Sequence, residues 1–251
     1  MVGLRVTKLV ALQHNCARGG QDLEAVLETA VRMVADLVLI QEPRETKEKD
    51  STRSHASFTF IRGEECLPAN CWIAENRASG CRVTELKVFT QECENHTQVV
   101  EVAAPGVGPV VIVNVYDRHT TSESIRPAQK AAWGELARHR RVVIAGDMNA
   151  HSKVWNPKTM RPRNNVFWEK LISEHGLSVW NTEEETRMGV GADIHSIIDL
   201  TLSSQEVDLR WSIVREQATG SDHKVIGWEI VGAEGPSQDT SGEMTGWDIR
   251  G

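Results

Sequence analysis

Short apolar runs that end in polar residues recur throughout this chain, and they constrain its fold more than any other feature. The run Leu37-Val38-Leu39-Ile40 is too short for a helix and is followed by Gln41-Glu42-Pro43. It therefore predicts a buried strand that the proline helps to end. Residues 110–116 and 141–145 have the same apolar character. The sequence thus predicts strands whose ends carry polar side chains.

The remaining segments predict further strands, two hairpins and three helices. Strands are predicted at residues 9–13, 71–74, 81–88, 99–103, 177–180, 197–202, 209–214 and 225–231. Turn residues predict one hairpin across positions 75–80 and another across Pro105-Gly106-Val107-Gly108. A first helix is predicted from the helical spacing of Leu23, Val26, Leu27, Ala30, Val31 and Val34. Two more helices are predicted at about 126–138 and 165–175, the second of them stopped by Gly176.

This mixture of strands, helices, hairpins and crossover connections predicts an α/β sandwich over residues 1–231. No Pro/Gly/Ser-rich linker interrupts that span, which favours one domain. From Gly232 the composition turns to Gly, Ser, Asp and Thr, so residues 232–251 are predicted to be a flexible tail or linker. A doubly wound Rossmann fold is the weaker alternative, because no Gly-x-Gly-x-x-Gly opens a helix after the first strand.

The composition is ordinary for a soluble globular protein, with 40% hydrophobic and 25% charged residues in 251. No apolar run approaches the roughly 20 residues that cross a bilayer, and the first residues lack the pattern of a signal peptide. We therefore expect an intracellular protein that does not enter a membrane.

Five cysteines are present, and four of them fall between positions 66 and 93. A zinc site is one interpretation, but no Cys-x-x-Cys pair occurs. Buried free thiols are the favoured interpretation, because Cys71 and Cys81 lie in strand-like runs.

The net charge of −7 argues against a partner that is a polyanion. The tail from Ala233 carries four acidic residues against Arg250, which is −3 and leaves −4 for residues 1–232. Basic stretches also occur, and one of them follows Asp147 directly; it comprises Lys153, Lys158, Arg161 and Arg163. Such a stretch is either a solvated face or a phosphate contact, and the sequence favours neither.

Polar residues at the predicted strand ends supply the parts that metal-assisted phosphodiester cleavage needs. They are Asn15, Glu42, Tyr116, Asp147, Asn149, Asp199, Asp222 and His223. The ends of adjacent strands converge on one edge of a layered α/β fold, which is where sites form. The reaction requires carboxylates for a hard divalent ion, a base or acid for water and the leaving oxygen, and donors for phosphate. Taken singly, Tyr116 or His223 is more often a packing or structural residue, and only their joint order predicts chemistry.

The motifs that contain these residues, and their order along the chain, resemble those of the endonuclease/exonuclease/phosphatase superfamily. Within it they resemble the endonuclease domain of non-LTR (LINE-type) retrotransposons. The motifs are His14-Asn15, Gln41-Glu42-Pro43, Asn114-Val115-Tyr116, Gly146-Asp147-Met148-Asn149-Ala150-His151, Ser196-Ile197-Ile198-Asp199-Leu200-Thr201 and Gly220-Ser221-Asp222-His223. The resemblance implies a four-layer α/β sandwich of the exonuclease III and DNase I type, with two mixed β-sheets packed face to face and helices outside. It also implies Mg²⁺, with Mn²⁺ as a possible substitute, double-stranded DNA, a reverse transcriptase fused to or working with the domain, and a nuclear location.

The resemblance also implies a role for each site residue. Glu42 would be the principal metal ligand, with Asn15 and Asp222 nearby, and His223, held by Asp199, would contact the scissile phosphate or orient water. Asp147 would activate water or protonate the leaving oxygen. Asn149 and Tyr116 would position phosphate. Thr186 and Ser221 would be either phosphate-contact or scaffold positions, and Trp155 and Lys153 would bind the substrate.

Three functions stay open at this stage. A DNA endonuclease that nicks one strand and leaves a 3′-hydroxyl is favoured, as for target-primed reverse transcription. The same scaffold could act on another phosphate ester, or the chain could be an inert relic that only binds. Trp155 is expected either to enter or brace a DNA groove or to pack its own loop.

Overall fold

The computed structural model describes residues 8–44, 55–62, 70–87, 89, 97–117, 127–189, 195–215 and 219–232. The strands of this part are β1 (Lys8–Asn15), β2 (Leu37–Gln41), β3 (Phe58–Arg62), β4 (Cys71–Asn76), β5 (Arg82–Glu85), β6 (Thr97–Ala104), β7 (Gly108–Tyr116), β8 (Val142–Asp147), β9 (Ser178–Val179), β10 (Asp199–Ser203), β11 (Leu209–Ile213) and β12 (Ile226–Val231). Its helices are α1 (Gly20–Arg32), α2 (Pro127–Ala137) and α3 (Val166–His175).

The strands form two six-stranded mixed sheets. The first has the order β11-β12-β1-β2-β4-β3 and the second the order β5-β6-β7-β8-β10-β9. Each sheet has one parallel pair near its centre, β1 with β2 and β7 with β8, and a helix follows the first strand of each pair. Parallel strands end at the same edge of a sheet. The polar residues at the ends of β1 and β2 therefore lie side by side, and so do those at the ends of β7 and β8.

The two sheets pack face to face with helices outside, which confirms the predicted four-layer α/β sandwich. The inner layer of the core contains Leu39 and Ile73 from the first sheet with Ile112 and Val143 from the second. Helix α1 covers the outer face of the first sheet, and α2 and α3 cover that of the second. Strands buried on both faces read as continuous apolar runs, which is why the sequence shows them so clearly.

Two buried polar bridges join the sheets beneath the strand ends. Gln41 Nε2 donates to Asn114 Oδ1 at 2.5 Å, and the Asn114 amide donates to the Ile40 and Trp72 carbonyls. On the other side, Thr201 Oγ1 donates to Gln13 Oε1 at 2.9 Å. Buried polar groups need such partners, and these bridges set the alignment of one sheet on the other.

One predicted hairpin is confirmed and the other is wrong. Strands β6 and β7 pair across the turn at 105–108, with Ala104 opposite Gly108. By contrast, β4 pairs with β2 and β3, whereas β5 pairs with β6 in the other sheet. Residues 77–81 thus carry the chain from one sheet to the other. Local alternation cannot distinguish this crossing from a hairpin, because both need a turn between two extended runs.

The predicted helices are confirmed except at the end of α1. Leu23, Val26, Leu27 and Ala30 are buried as expected. Val31, in the last turn of the helix, is 44% exposed. Val34 is 74% exposed, because the helix ends at Arg32 and Val34 has a left-handed φ of 54°. Helix α3 ends as predicted, with Gly176 in the left-handed conformation.

Among the described residues, Cys16 and Cys71 are buried thiols outside any disulfide and Cys81 is a partly buried one, as the favoured interpretation predicted. Cys66 and Cys93 lie outside the described residues, as does the tail from residue 233. No helix in the described ranges is long and apolar enough to cross a bilayer.

Candidate active site

The ends of five strands bring the predicted site residues to one edge of the sandwich. In the first sheet, Asn15 at the end of β1 lies opposite Gln41, and Glu42 follows Gln41. In the second sheet, Asp147 lies between Tyr116 of β7 and Asp199 of β10. The left-handed φ of Glu42, 45°, turns the chain out of β2 at this point.

The Asp147 carboxylate accepts three hydrogen bonds. Its Oδ2 accepts from Asn15 Nδ2 at 2.9 Å and from Asn149 Nδ2 at 3.2 Å, and its Oδ1 accepts from the Asn149 backbone N–H at 2.9 Å. Burial and then the charge of Asp199 raise the pKa of Asp147 to about 7, although His223 and the two asparagines favour the carboxylate. A group with this pKa can hold or release a proton near neutral pH.

His223 and Asp199 form a buried pair beside Asp147. His223 Nδ1 lies 2.9 Å from Asp199 Oδ1, and His223 Nε2 lies 4.0 Å from Asp147 Oδ2. Burial lowers the pKa of His223, but the charge and hydrogen bond of Asp199, with the charges of Asp147 and Asp222, raise it to about 9. The imidazole is therefore held as a cation with Nε2 on the side of Asp147.

Glu42 is linked to Asp147 through Asn15. Asn15 Nδ2 lies 3.5 Å from Glu42 Oε2, and the same amide nitrogen donates to Asp147. The half-exposed Arg18 places its Nε 3.2 Å from Glu42 Oε1. Glu42 thus has a cation beside it on the solvent side and an amide on the buried side.

Asp222 is oriented by an arginine that the sequence did not single out. Arg187 Nε lies 2.7 Å from Asp222 Oδ2, and both side chains are partly buried. The other carboxylate oxygen, Oδ1, lies 3.8 Å from His223 Nε2. Asp222 is therefore at the edge of the site, next to His223.

Thr186 and Ser221 hold the backbone of the site. Thr186 is buried, and its Oγ1 accepts from the N–H groups of Ile198 and Asp199. Ser221 Oγ donates to the Asn15 carbonyl at 2.7 Å and accepts from the His223 N–H. Both contacts suit the scaffold role that was one of their two expected roles.

The two remaining predicted substrate-binding residues lie in the loop after β8. Lys153 is exposed. Trp155 is only 4% exposed, and its indole N–H donates to the Ile197 carbonyl at 3.2 Å. The ring is packed in the core beneath its loop, so it does not itself reach a groove. That it braces a loop in contact with DNA stays a prediction.

Sequence reasoning missed three residues that support the site. Asp22, on α1, accepts hydrogen bonds from the N–H groups of Gly220 and Ser221. Asp117 accepts from Trp168 Nε1 at 3.0 Å, and its carbonyl accepts from Asn149 Nδ2 at 2.8 Å. Arg187 is the third, on Asp222. A carboxylate in the first turn of a helix is common for electrostatic reasons, so Asp22 gave no distinctive signal.

The donor atoms at this edge are suited to a divalent ion. Ligand atoms of Asp147, Asp199 and His223 all lie within 4.8 Å of one another, and Glu42, Asn15 and Asp222 surround them. Carboxylate and amide oxygens are the donors that Mg²⁺ and Mn²⁺ prefer. The arrangement can hold a hard cation beside a proton-transfer group and an imidazolium.

The chain is similar to a known protein family and to several solved structures. Residues 110–227 match a family profile described as endonuclease-reverse transcriptase, and they include Tyr116, Asp147, Asp199 and His223. The endonuclease domain of TRAS1, a telomere-specific non-LTR retrotransposon, superposes with a TM-score of 0.70 at 20% identity, over 88% of this chain and 98% of that chain. No significant match was found among curated proteins.

Two other solved structures have the same fold. An endonuclease/exonuclease/phosphatase family protein from Bacteroides thetaiotaomicron gives a TM-score of 0.62 at 15% identity, over 91% of this chain and 99% of that chain. The 3′ phosphatase NExo from Neisseria, in a structure bound to a product DNA hairpin, gives 0.61 at 17% identity, over 88% and 99%. The resemblance read from the sequence motifs is confirmed.

Proposed function

We propose, on the premise that this chain has the endonuclease/exonuclease/phosphatase fold, that it is a metal-dependent DNA endonuclease that nicks one strand. The observation that carries this proposal is the buried group Asp147, Asp199 and His223, with ligand atoms within 4.8 Å of one another. Burying two carboxylates so close together costs folding free energy. Such groups are therefore found chiefly at functional sites.

The products would be a 3′-hydroxyl and a 5′-phosphate. A water oxygen attacks the phosphorus atom, the bond from phosphorus to the 3′ oxygen breaks, and that oxygen takes up a proton. With a pKa of about 7, Asp147 can take the proton from water or give one to the leaving oxygen. Asn15 and Asn149 keep its carboxyl group in place through their hydrogen bonds.

His223 would stabilise charge on the scissile phosphate. With a pKa of about 9, its imidazolium persists at neutral pH, and Asp199 fixes the ring through Nδ1 so that Nε2 is directed toward the substrate side. Tyr116 and Asn149 would position the remaining phosphate oxygens. Both amide hydrogens of Asn149 already have acceptors, so Asn149 would exchange its 3.2 Å hydrogen bond to Asp147 for one to phosphate. The His223 ring is held by Asp199 before the substrate binds, which is the condition for strong electrostatic stabilisation.

Glu42, Asn15 and Asp222 would hold the metal ion, Mg²⁺ or Mn²⁺. When bound, such an ion neutralises phosphate charge and polarises the phosphorus–oxygen bonds. Glu42 already has a cationic neighbour, Arg18, so its surroundings tolerate positive charge. Arg18 is exposed enough to move from the carboxylate to a phosphate.

The substrate would be double-stranded DNA, and the nicked 3′-hydroxyl would prime reverse transcription by a fused or separate reverse transcriptase. The family profile and the TRAS1 domain support that setting, and a nuclear location follows from it. Lys153 and its basic neighbours would contact phosphates outside the cut. We also propose that residues 1–231 form the endonuclease domain and that 232–251 are a tail or linker.

The first test is nicking of a supercoiled plasmid in Mg²⁺, in Mn²⁺ and in EDTA. We expect relaxation to the open circle only with metal, and products that a polymerase extends without treatment because they carry a 3′-hydroxyl. Glu42→Ala should weaken metal binding and nicking together. The matched control is Glu28→Ala, an exposed carboxylate on α1 away from the strand ends, which should nick like the wild type.

Failure of a folded protein to relax plasmid in either metal would contradict the endonuclease. An oligonucleotide with a 3′-phosphate would then be the next substrate, because the Neisseria protein of the same fold is a 3′ phosphatase. Release of phosphate would establish the same-fold phosphoesterase. Binding without turnover of any ester would establish the inert relic.

A further inference from the structure

The loop after β8, residues 151–164, differs in charge from the rest of the chain. Residues 148–168 contain four basic residues, Lys153, Lys158, Arg161 and Arg163, and no aspartate or glutamate, although the whole chain has a net charge of −7. All four basic residues are exposed. We refer to residues 151–164 as the basic loop.

The two ends of the basic loop pair with each other, and one of them contacts Asn149 of the active site. The His151 N–H donates to the Arg163 carbonyl at 2.8 Å, and the Arg163 N–H donates to the His151 carbonyl at 3.0 Å. Asn164 Nδ2 donates to the carbonyl of Asn149 at 3.2 Å. The loop therefore emerges at the edge of the sandwich where Asp147 and Asn149 lie.

The interior of the basic loop is also fixed. The buried Trp155 ring anchors it to the Ile197 carbonyl, two residues before Asp199. The Thr159 N–H donates to the Asn156 carbonyl at 2.9 Å, and the Asn156 N–H donates to the Ser152 carbonyl at 3.0 Å. A loop ordered in this way loses little conformational entropy when it binds a ligand.

Met160 stands at the exposed end of this fixed loop. Its side chain is 88% exposed, the highest fraction among the large exposed hydrophobic residues of the described chain. Pro157 and Pro162 flank it and restrict the backbone on both sides. A single exposed apolar residue is ordinary on a surface. One held on a rigid basic loop at the edge of a phosphate-cleaving site has the features of a wedge that enters a groove of the duplex.

We propose that Met160 inserts between two adjacent base pairs beside the cut, while the cations of the basic loop contact the flanking phosphates. This inference rests on the proposed function, because it takes double-stranded DNA as the ligand. Apolar side chains that enter the minor groove unstack a base step and kink the duplex. Steps that unstack easily, such as those of a pyrimidine followed by a purine, would then be favoured cut sites.

The test compares Met160→Ala with Val166→Ala, a matched control because Val166 is 61% exposed on α3 beyond the loop. Each change is combined with Asp147→Asn, which prevents hydrolysis, and bound to a duplex of about 30 base pairs with 2-aminopurine at the mapped cut step. Base unstacking raises 2-aminopurine fluorescence. We expect the rise with Val166→Ala and its loss with Met160→Ala.

Nicking by otherwise unchanged enzymes gives a second readout. We expect Met160→Ala to nick an intact duplex about tenfold more slowly and to recover most of that loss on a duplex mismatched at the cut step, where unstacking costs less. The control variant should nick both duplexes like the wild type. The dependence of DNA affinity on salt should be the same for both variants, because no charge is removed.

An equal fluorescence rise for Met160→Ala and Val166→Ala would overturn the wedge, as would absence of rescue by the mismatch. Failure of the proposed function is distinguishable, because it appears as a wild-type protein that does not relax plasmid in metal. A wild type that nicks but never unstacks the probe would retain the endonuclease and eliminate the wedge alone.

Discussion

Asn15 Nδ2 donates a hydrogen bond of 2.9 Å to Asp147 Oδ2, and the two residues belong to different sheets. Asn15 ends β1 of the first sheet and Asp147 ends β8 of the second. The same amide lies 3.5 Å from Glu42. The position of the proton-transfer group relative to the metal-binding carboxylate therefore depends on how the two sheets pack, which the bridges of Gln13 and Gln41 help to set.

Asp147→Asn should abolish nicking and leave the fold at least as stable at pH 8. Ionisation of Asp147 is unfavourable in the folded protein, because its pKa is raised to about 7 from 3.8. The raised pKa means that the carboxyl group stabilises the fold at low pH and loses that contribution as the pH rises through 7. The variant removes this penalty, so we expect it to gain stability relative to the wild type at pH 8 and to gain less at pH 5. Urea unfolding at pH 5 and pH 8 measures it, and a stability difference that does not depend on pH would contradict the assignment.

Asp199→Asn should lower nicking roughly a hundredfold to ten-thousandfold, the range for a displaced acid–base group. The pKa of His223 is about 9 chiefly because Asp199 outweighs the effect of burial. Without that charge the imidazolium is lost at a lower pH, so the alkaline limb of the pH–rate profile should move toward neutrality. A variant that keeps the wild-type limb would show that His223 is not the group that titrates there. Circular dichroism at each pH controls for folding.

Replacing Lys153, Lys158 and Arg161 together with alanine should weaken DNA binding and flatten its salt dependence. Each lost phosphate contact reduces the slope of log K against log salt by about 0.9, so the three together reduce it by at most about 3. Binding measured by anisotropy over a range of salt concentrations provides the slope.

The control for this triple variant replaces Arg32, Arg77 and Arg82, which are exposed and lie at the opposite ends of their elements from the site. It removes the same charge from the chain and should leave the slope close to that of the wild type. Equal slopes for the two triple variants would mean that the basic loop contacts no phosphate.

His14→Leu should reduce the loss of stability at mildly acidic pH. His14 is buried, and the Lys224 backbone lies near its ring. Burial, and then the charge of His223, lower its pKa from 6.5 to about 4. A lowered pKa favours the neutral ring, so the contribution to stability is present above pH 6.5 and is lost as the pH falls toward 4. The full loss is about 3 kcal/mol at 1.36 kcal/mol per pKa unit.

Urea unfolding between pH 7 and pH 4.5 tests this expectation. The free energy of unfolding should fall less steeply for His14→Leu than for the wild type. Parallel curves would show that His14 does not titrate in the folded protein over this range.

Much of this protein could be predicted from sequence, because its strands are short, apolar and followed by polar motif residues. The order of Glu42, Tyr116, Asp147, Asp199 and His223 along the chain was sufficient to predict the sandwich and the residues at its edge. Helix α3 and its Gly176 stop were equally readable, since helical spacing and a left-handed glycine are local properties.

Other features became visible only in three dimensions. Whether β4 and β5 form a hairpin or belong to separate sheets depends on their partners, β2 and β6, which are distant in sequence. The sequence left Trp155 either as a residue of a DNA groove or as a packing residue, and only the tertiary structure shows that its ring belongs to the core.

Residue type and local periodicity are enough to identify the reactive groups and the strands that carry them. How those groups act on one another depends on the tertiary structure. The packing of the two sheets puts Asn15 against Asp147, and the antiparallel pairing of β8 with β10 puts Asp199 beside it. Burial and charge at those distances raise the pKa values of Asp147 and His223, and no local pattern in the chain encodes a distance between residues so far apart.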